Sequence, residues 1–172
     1  MRAVTESPAT QPPSFGSATL SVLMRPTEAN LAGNIHGGEI LKLADTTAGT
    51  VGYRWSGGVV VTAYLDEMAF LEPVRVGDIL TTQGQVNWTG HTSFEVGVRI
   101  HTQRYDDTTG TKLHVGSAYF LMVAVDHDGH PRPVPAVKPE TESELERYVE
   151  AEIRRTHRLA RKAEIAARRS TV

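Results

Sequence analysis

Residues 30–45 read NLAGNIHGGEILKLAD, a polar, glycine-rich loop that opens directly into an apolar helix. Ile40, Leu41, Ala44, Ala48 and Val51 recur near helical spacing, which predicts a helix from about Gly38 to Trp55, ended by Gly57-Gly58. Gly49 and Gly52 weaken such a helix in isolation, so packing must support it. Its start offers unpaired backbone amides, which can hold an anion or a developing oxyanion. Glycine at 37 and 38 lets a substrate come close to those amides. Asp45 lies inside the same apolar helix, either as a hydrogen-bonded structural carboxylate or as a catalytic base.

Outward from this segment the period changes from helical to two-residue. Ala18 to Met24 reads as a strand that ends at Arg25-Pro26, and Thr27 to Gly38 as a loop. Beyond the helix come four strands, Val59 to Phe70, Asp78 to Trp88, Thr92 to Gln103 and Lys112 to Val125. The third alternates most cleanly, with Phe94, Val96, Val98 and Ile100 on one face and Ser93, Glu95, Gly97, Arg99 and His101 on the other. Thr89-Gly90 and Asp106 to Gly110 are turn signals. The order predicts an α+β architecture, one long antiparallel sheet with a helix on its face.

The ends differ in composition. Residues 1–15, with Pro8, Pro12 and Pro13 among small polar residues, read as a disordered tail without a signal-peptide core. Residues 16–132 form the domain, and 133–172 a linker and a terminal helix. Thr141 and Glu144 form a capping-box pattern, placing that helix from about Ser143 to Arg168. Its first half is acidic and its second half basic, the order a helix dipole favours. Leu145, Val149 and Ile153 make an apolar stripe that would dock the first half on the body. The basic end reads as a solvated face, with a phosphate or nucleic-acid contact as the lesser alternative.

Length and charge narrow the function. The chain has 172 residues and a formal net charge of −2. One domain is expected, and no basic excess marks a nucleic-acid binder. The absence of cysteine removes thiol nucleophiles, thiolate metal sites and disulfides, and fits a cytoplasmic protein. No apolar stretch is long enough to span a bilayer, so no membrane partner is expected. G-x-S-x-G, G-x-G-x-x-G, P-loop and H-E-x-x-H patterns are all missing. Of the seven histidines, His127 and His130 share a run with Asp126 and Asp128, which reads as a turn after a strand rather than a metal site. No metal is expected.

The loop and helix, together with the strands after them, resemble the acyl-CoA thioesterases (acyl-CoA hydrolases) of the hot-dog fold. The matching pieces are Pro26 to Asn30, Gly33 to Gly38, Leu43-Ala44-Asp45, Val61-Thr62-Ala63, Asp66 with Phe70-Leu71-Glu72-Pro73, Val76-Gly77-Asp78, Gly90-His91-Thr92-Ser93 and Val123 to Asp126. Each is short; their order over most of residues 20–148 makes the set specific. The resemblance implies a single hot-dog domain, a long antiparallel sheet wrapped around a central helix. It implies hydrolysis of a fatty acyl-CoA by water, with Asp45 as base and Asn34 assisting. The amides near Gly37 and Gly38, with His36 and Thr62 beside them, would bind the thioester carbonyl, His36 mainly by packing. Thr92 and Ser93 match the coenzyme A side. No cofactor is implied beyond the coenzyme A of substrate and product. Partners are the acyl-CoA and further copies of the chain, a homodimer at minimum and tetramers or hexamers beyond it.

A distance check extends this. Asp45 lies seven residues after Gly38, about 10 Å along a helix axis. A general base and the oxyanion donors must converge within hydrogen-bond reach of one water and one carbonyl. One chain cannot easily supply both, so the site is expected to be composite: Asn34, Gly37 and Gly38 from one subunit, Asp45 from its partner. Two other readings remain, an acyl-CoA-binding hot-dog protein without turnover and, with less support, a hydroxyacyl-thioester dehydratase using His36.

Overall fold

A computed structural model of the chain describes residues 9–170. In order, the elements are Thr10–Gln11 (β1), Ala18–Leu23 (β2), Gly37–Ser56 (α1), Val60–Phe70 (β3), Ile79–Thr89 (β4), Ser93–Gln103 (β5), Lys112–Ala124 (β6), Ala136–Val137 (β7) and Glu142–Arg169 (α2). Five strands form one antiparallel sheet in the order β2-β4-β5-β6-β3, and α1 runs across its concave side. This is the hot-dog arrangement, an α+β sheet around a central helix. Each long element lies within about two residues of its expected range, the usual uncertainty of helix and strand ends.

The inner face is apolar and close-packed. Phe94, Val96, Val98 and Ile100 of β5 all point into the core, as their alternation requires. Ile40, Ala44, Ala48, Val51 and Trp55 of α1 meet them, with Phe120, Met122 and Ala124 of β6. Gly52 has a packing reason. A Cβ there would come within 2.9 Å of Val60 Cγ2 and 3.1 Å of Phe94 Cζ, so only glycine lets the helix seat against the sheet. Where α1 meets β4, a buried polar pair is satisfied internally, the Thr47 and Thr82 hydroxyls lying 2.6 Å apart. Gly57, at φ 68°, ends α1 in the left-handed conformation that favours glycine.

Expectations fail at both ends of the chain. Of the expected tail, residues 1–8 lie outside the described residues, but the rest is structured. Thr10–Gln11 pairs in parallel with Ala136–Val137, and Phe15 sits edge-on against Trp55.

At the other end, α2 begins at the predicted capping box, with the Glu144 amide donating to Thr141 Oγ1. Yet its apolar stripe does not dock. Leu145, Val149 and Ile153 are 55%, 48% and 53% exposed. The helix lies on the outer face of the sheet through its arginines instead; Arg154 and Arg158 depart from the solvated reading of the basic half, while residues 159–170 are exposed as expected. Arg154 makes two hydrogen bonds to the buried Glu95 carboxylate, at 2.8 and 3.1 Å, and stacks 3.7 Å over the Tyr119 ring. Burial works against the charge on Arg154, but the hydrogen bonds and charge of Glu95 raise its pKa overall. Arg158 pairs with Asp66, Arg161 donates to the Tyr64 hydroxyl, and Arg155 stands over Trp88. Only Ala151 of α2 is fully buried. The outer face carries partly buried carboxylates, and these select arginine as the docking residue.

Candidate active site

The loop before α1 is folded by its own backbone. The Asn30 amide donates to the Asn34 carbonyl at 2.7 Å, Ala29 bridges Ile35, and Gly33 takes a φ of 80° at the tip. Asn30 Oδ1 accepts the amides of Ala32 and Asn34, an Asx-type turn. A second loop clamps the first, since Ile35 donates to the Val74 carbonyl and Asn34 bridges Arg75. That loop is pinned by buried Asp78, whose Oδ2 accepts from the Arg75 amide at 2.9 Å and Arg104 Nη1 at 2.7 Å.

His36 caps α1. Its Nδ1 accepts the Gly38 amide at 3.0 Å, so the ring does the work usually done by Ser or Asp. This corrects the expectation of two free amides at the helix start, because the Gly38 N–H is engaged by its own chain. The Gly37 N–H has no partner among the described residues. The Phe70 ring lies against Gly37, where a Cβ would come within 3.3 Å of it. One open amide, beside an aromatic wall, therefore remains at the head of α1.

Asp45 is two turns further along α1 and is exposed in a single chain. It does not face the helix start. Its Oδ1 accepts the Thr62 hydroxyl of β3 at 2.7 Å. β3 is the last strand of the sheet, so Asp45 and Thr62 lie along an open edge. Val61, Tyr64, Leu65, Phe70 and Leu71 on and beside this strand are all exposed. Bulges interrupt its pairing with β6 between Thr62 and Tyr64 and again between Leu65 and Glu67. Bulges re-aim side chains and are frequent beside functional sites.

The structure brings together some of the expected residues and not others. Asp45 and Thr62 touch, and His36, Gly37 and Gly38 share one helix turn. Asn34 stays in its loop, with its backbone in the hairpin. Ser93 flanks inward-facing Phe94, so its side chain lies on the face of the sheet away from α1 and Asp45, and Thr92 sits in the turn before it. Val61 likewise faces opposite to Thr62, while Met68 packs against the core and the Phe70 ring lies against Gly37. The run Asp126 to His130 is a turn. Asp126 Oδ1 accepts the Asp128 and His130 amides at 2.9 and 2.8 Å. A groove of about 430 Å³, lined by Asn87, Arg99 and Glu146 among others, opens under α2 on the outer face, away from Asp45. Among the described residues no helix is long and apolar enough to cross a membrane.

Known proteins share this sequence pattern and this fold. Residues 32–106 match the family model of the thioesterase superfamily. The protein VdlD of Helicobacter pylori is 40% identical over 129 residues, covering 75% of this chain and 72% of that protein. The acyl-CoA thioester hydrolase YciA of Salmonella typhimurium is 31% identical over 121 residues, 70% of this chain and 91% of its own length. Among solved structures, an apo-hexameric acyl-CoA thioesterase superposes with a TM-score of 0.85 at 35% identity, over 90% of this chain and 98% of that one. The acyl-CoA hydrolase of Staphylococcus aureus, in complex with butyryl coenzyme A, coenzyme A and coenzyme A disulfide, gives 0.84 at 30% identity, over 92% and 95%. Variants of that hydrolase with an asparagine, an aspartate or a threonine changed to alanine superpose as well. The spacing of those three residues along its chain equals that of Asn30, Asp45 and Thr62 here. The sequence pattern points to Asn34, beside Gly33, rather than to Asn30.

Proposed function

The chain belongs to the acyl-CoA thioester hydrolases of the thioesterase superfamily, and on that premise we propose how its residues divide the work. Asp45 takes a proton from water as the water oxygen attacks the thioester carbonyl carbon. Thr62 holds the carboxylate through its hydroxyl. The Gly37 amide stabilises the oxyanion. Collapse of the tetrahedral intermediate expels the coenzyme A thiolate, which receives the proton from Asp45, and the acyl group leaves as the free acid. Asn34 and Asn30 order the loop that presents Gly37, and the shared spacing supports Asn30 as its polar contact with substrate. Thr92 and Ser93 remain the candidates for the coenzyme A side, reached from the outer face.

The observation that carries this reading is the Asp45–Thr62 hydrogen bond on an open sheet edge. Asp45 is solvent-exposed in one chain, and a base in bulk water has little purchase on a thioester. Pairing β3 with its copy in a second chain would enclose it and cover the exposed Tyr64, Leu65 and Phe70. It would also bring the Gly37 amide of one subunit toward Asp45 of the other, which the roughly 10 Å helical separation denies within a chain. The protein thus works as a homodimer at minimum, and the hexameric relative supports further assembly. With no cysteine to protect, a cytoplasmic location fits the same reading.

The test is complementation. Asp45→Ala removes the base. Gly37→Pro removes the amide, and proline suits the first helical position after extended His36. Each variant alone should lose roughly 10²-fold or more in acyl-CoA hydrolysis. Mixed dimers hold one intact site, so co-refolding the two should recover about a quarter of wild-type activity for random pairing. No recovery, with mixed dimers demonstrated, would place both groups in one chain. Full activity of Asp45→Ala would end the mechanism.

A further inference from the structure

The edge strand that carries Thr62 is weakly held by its backbone. β3 pairs on one side only, and its register with β6 skips Ala63 and then Asp66, so ladder bonds are lost on both sides of Tyr64. Within that stretch the outer face supplies what the ladder lacks. Asp66, the residue skipped at the second bulge, pairs with Arg158, and both side chains are almost buried. Tyr64 accepts a hydrogen bond from Arg161, and the Arg158 and Arg161 guanidinium groups stand 5.9 and 5.8 Å from its ring centre. Arg158 lies one turn beyond Arg154, about 6 Å along α2. Arg154 in turn is fixed to the sheet centre by its two bonds to Glu95 and its stacking on Tyr119. The helix therefore links β5 and β6, paired on both sides, to the doubly bulged part of β3.

We infer that Arg158, through Asp66, is a positioning residue for hydrolysis: α2 braces the bulged edge strand from outside and so fixes the Thr62 hydroxyl against Asp45 on the inside. The inference rests on the proposed role of Asp45 and Thr62. Misplacing a reacting group by about 1 Å costs up to about 10²-fold in rate, so a strand free to shift between two bulges has much to lose. The brace should show in kcat, because it sets the hydroxyl that orients the reacting carboxylate.

Steady-state kinetics on the full chain tests this. Arg158→Gln and Asp66→Asn should each lower kcat about tenfold with KM changed less than about twofold. Arg158→Lys, which keeps the charge but not the guanidinium fork, should restore part of the loss. In a Thr62→Val background Arg158→Gln should cost less than about twofold more, because the hydroxyl it positions is gone. Arg168→Gln, at an exposed pair with Glu164, should leave kcat unchanged. If Arg158→Gln does not fold by circular dichroism and gel filtration, Arg161→Gln replaces it, with about a threefold loss of the same kind expected. Wild-type kcat in these variants, or losses that multiply fully with Thr62→Val, would overturn the brace. Asp45→Ala assayed in parallel separates the two ideas. Its full activity refutes the site itself, whereas an inactive Asp45→Ala beside an unaffected Arg158→Gln refutes only the brace.

Discussion

The two helices lie against the same sheet and are held by opposite chemistry. α1 buries an apolar face among Phe94, Val98 and Phe120, with no charge in the contact. α2 turns Leu145, Val149 and Ile153 to solvent and attaches through arginines to Glu95, Asp66 and Tyr64. A helix therefore docks by the face its surface can satisfy, not by its most hydrophobic one. The inner sheet face offers Val, Ile and Phe. The outer one offers two nearly buried carboxylates, which would be left unpaired under an apolar stripe.

Substitutions on each side can break this contrast. Phe94→Ala empties the inner interface and should destabilise the fold by about 3–5 kcal/mol, read from denaturant unfolding. On the outer side, Arg154→Met strands the Glu95 carboxylate and should cost about 3–5 kcal/mol, less where water reaches the freed group. Pairing it with Glu95→Leu should return most of that stability, since a matched apolar pair of similar size is about as stable as a buried ion pair. If the double variant is as unstable as the single one, the ion pair is not what docks α2. Smaller still, lysine at positions 145, 149 and 153 together should shift unfolding of the dilute chain by no more than about 0.5 kcal/mol per site, because that stripe is exposed. A larger loss would mean that the apolar face is covered.

The smallest effect lies at the sheet end. His101, beside His114 at a ring separation of 5.5 Å, has its pKa lowered by burial first and then by the neighbouring charges of His114, Arg99 and Lys112. Its folded pKa thus lies below the ordinary value of 6.5, so between the two values the unfolded chain binds more protons. Stability should fall as pH drops below 6.5 and level off beneath the folded pKa, and His101→Gln should flatten that slope in pH-dependent melting curves.

Most elements were legible because their periods are local properties of the chain. The alternation of β5, the apolar face of α1 and the Thr141–Glu144 cap each needed only neighbours in sequence. The orientation of α2 was not legible, since it depends on Glu95 and Asp66, acids 59 and 92 residues away from their arginines. Periodicity tells which residues share a face but not what that face meets. The site was half legible for the same reason. Glycines at 37 and 38 and an acid in an apolar helix were visible. That His36 would occupy the Gly38 amide required its φ of −63° and ψ of 129°, which a sequence does not state. The outward aim of Ser93, by contrast, followed from its phase against Phe94.

The two kinks in β3 also govern what can join it. A smooth sheet edge accepts almost any extended peptide, because the backbone groups it offers are evenly spaced. Here the spacing is broken twice within a few residues, and an arriving strand must carry matching irregularities to close its hydrogen bonds. A symmetry-related copy carries the same two irregularities, while a foreign segment does not. In the proposed dimer, the irregularity beside Thr62 would thereby double as a password for self-recognition, sparing an exposed apolar edge from promiscuous growth into fibres.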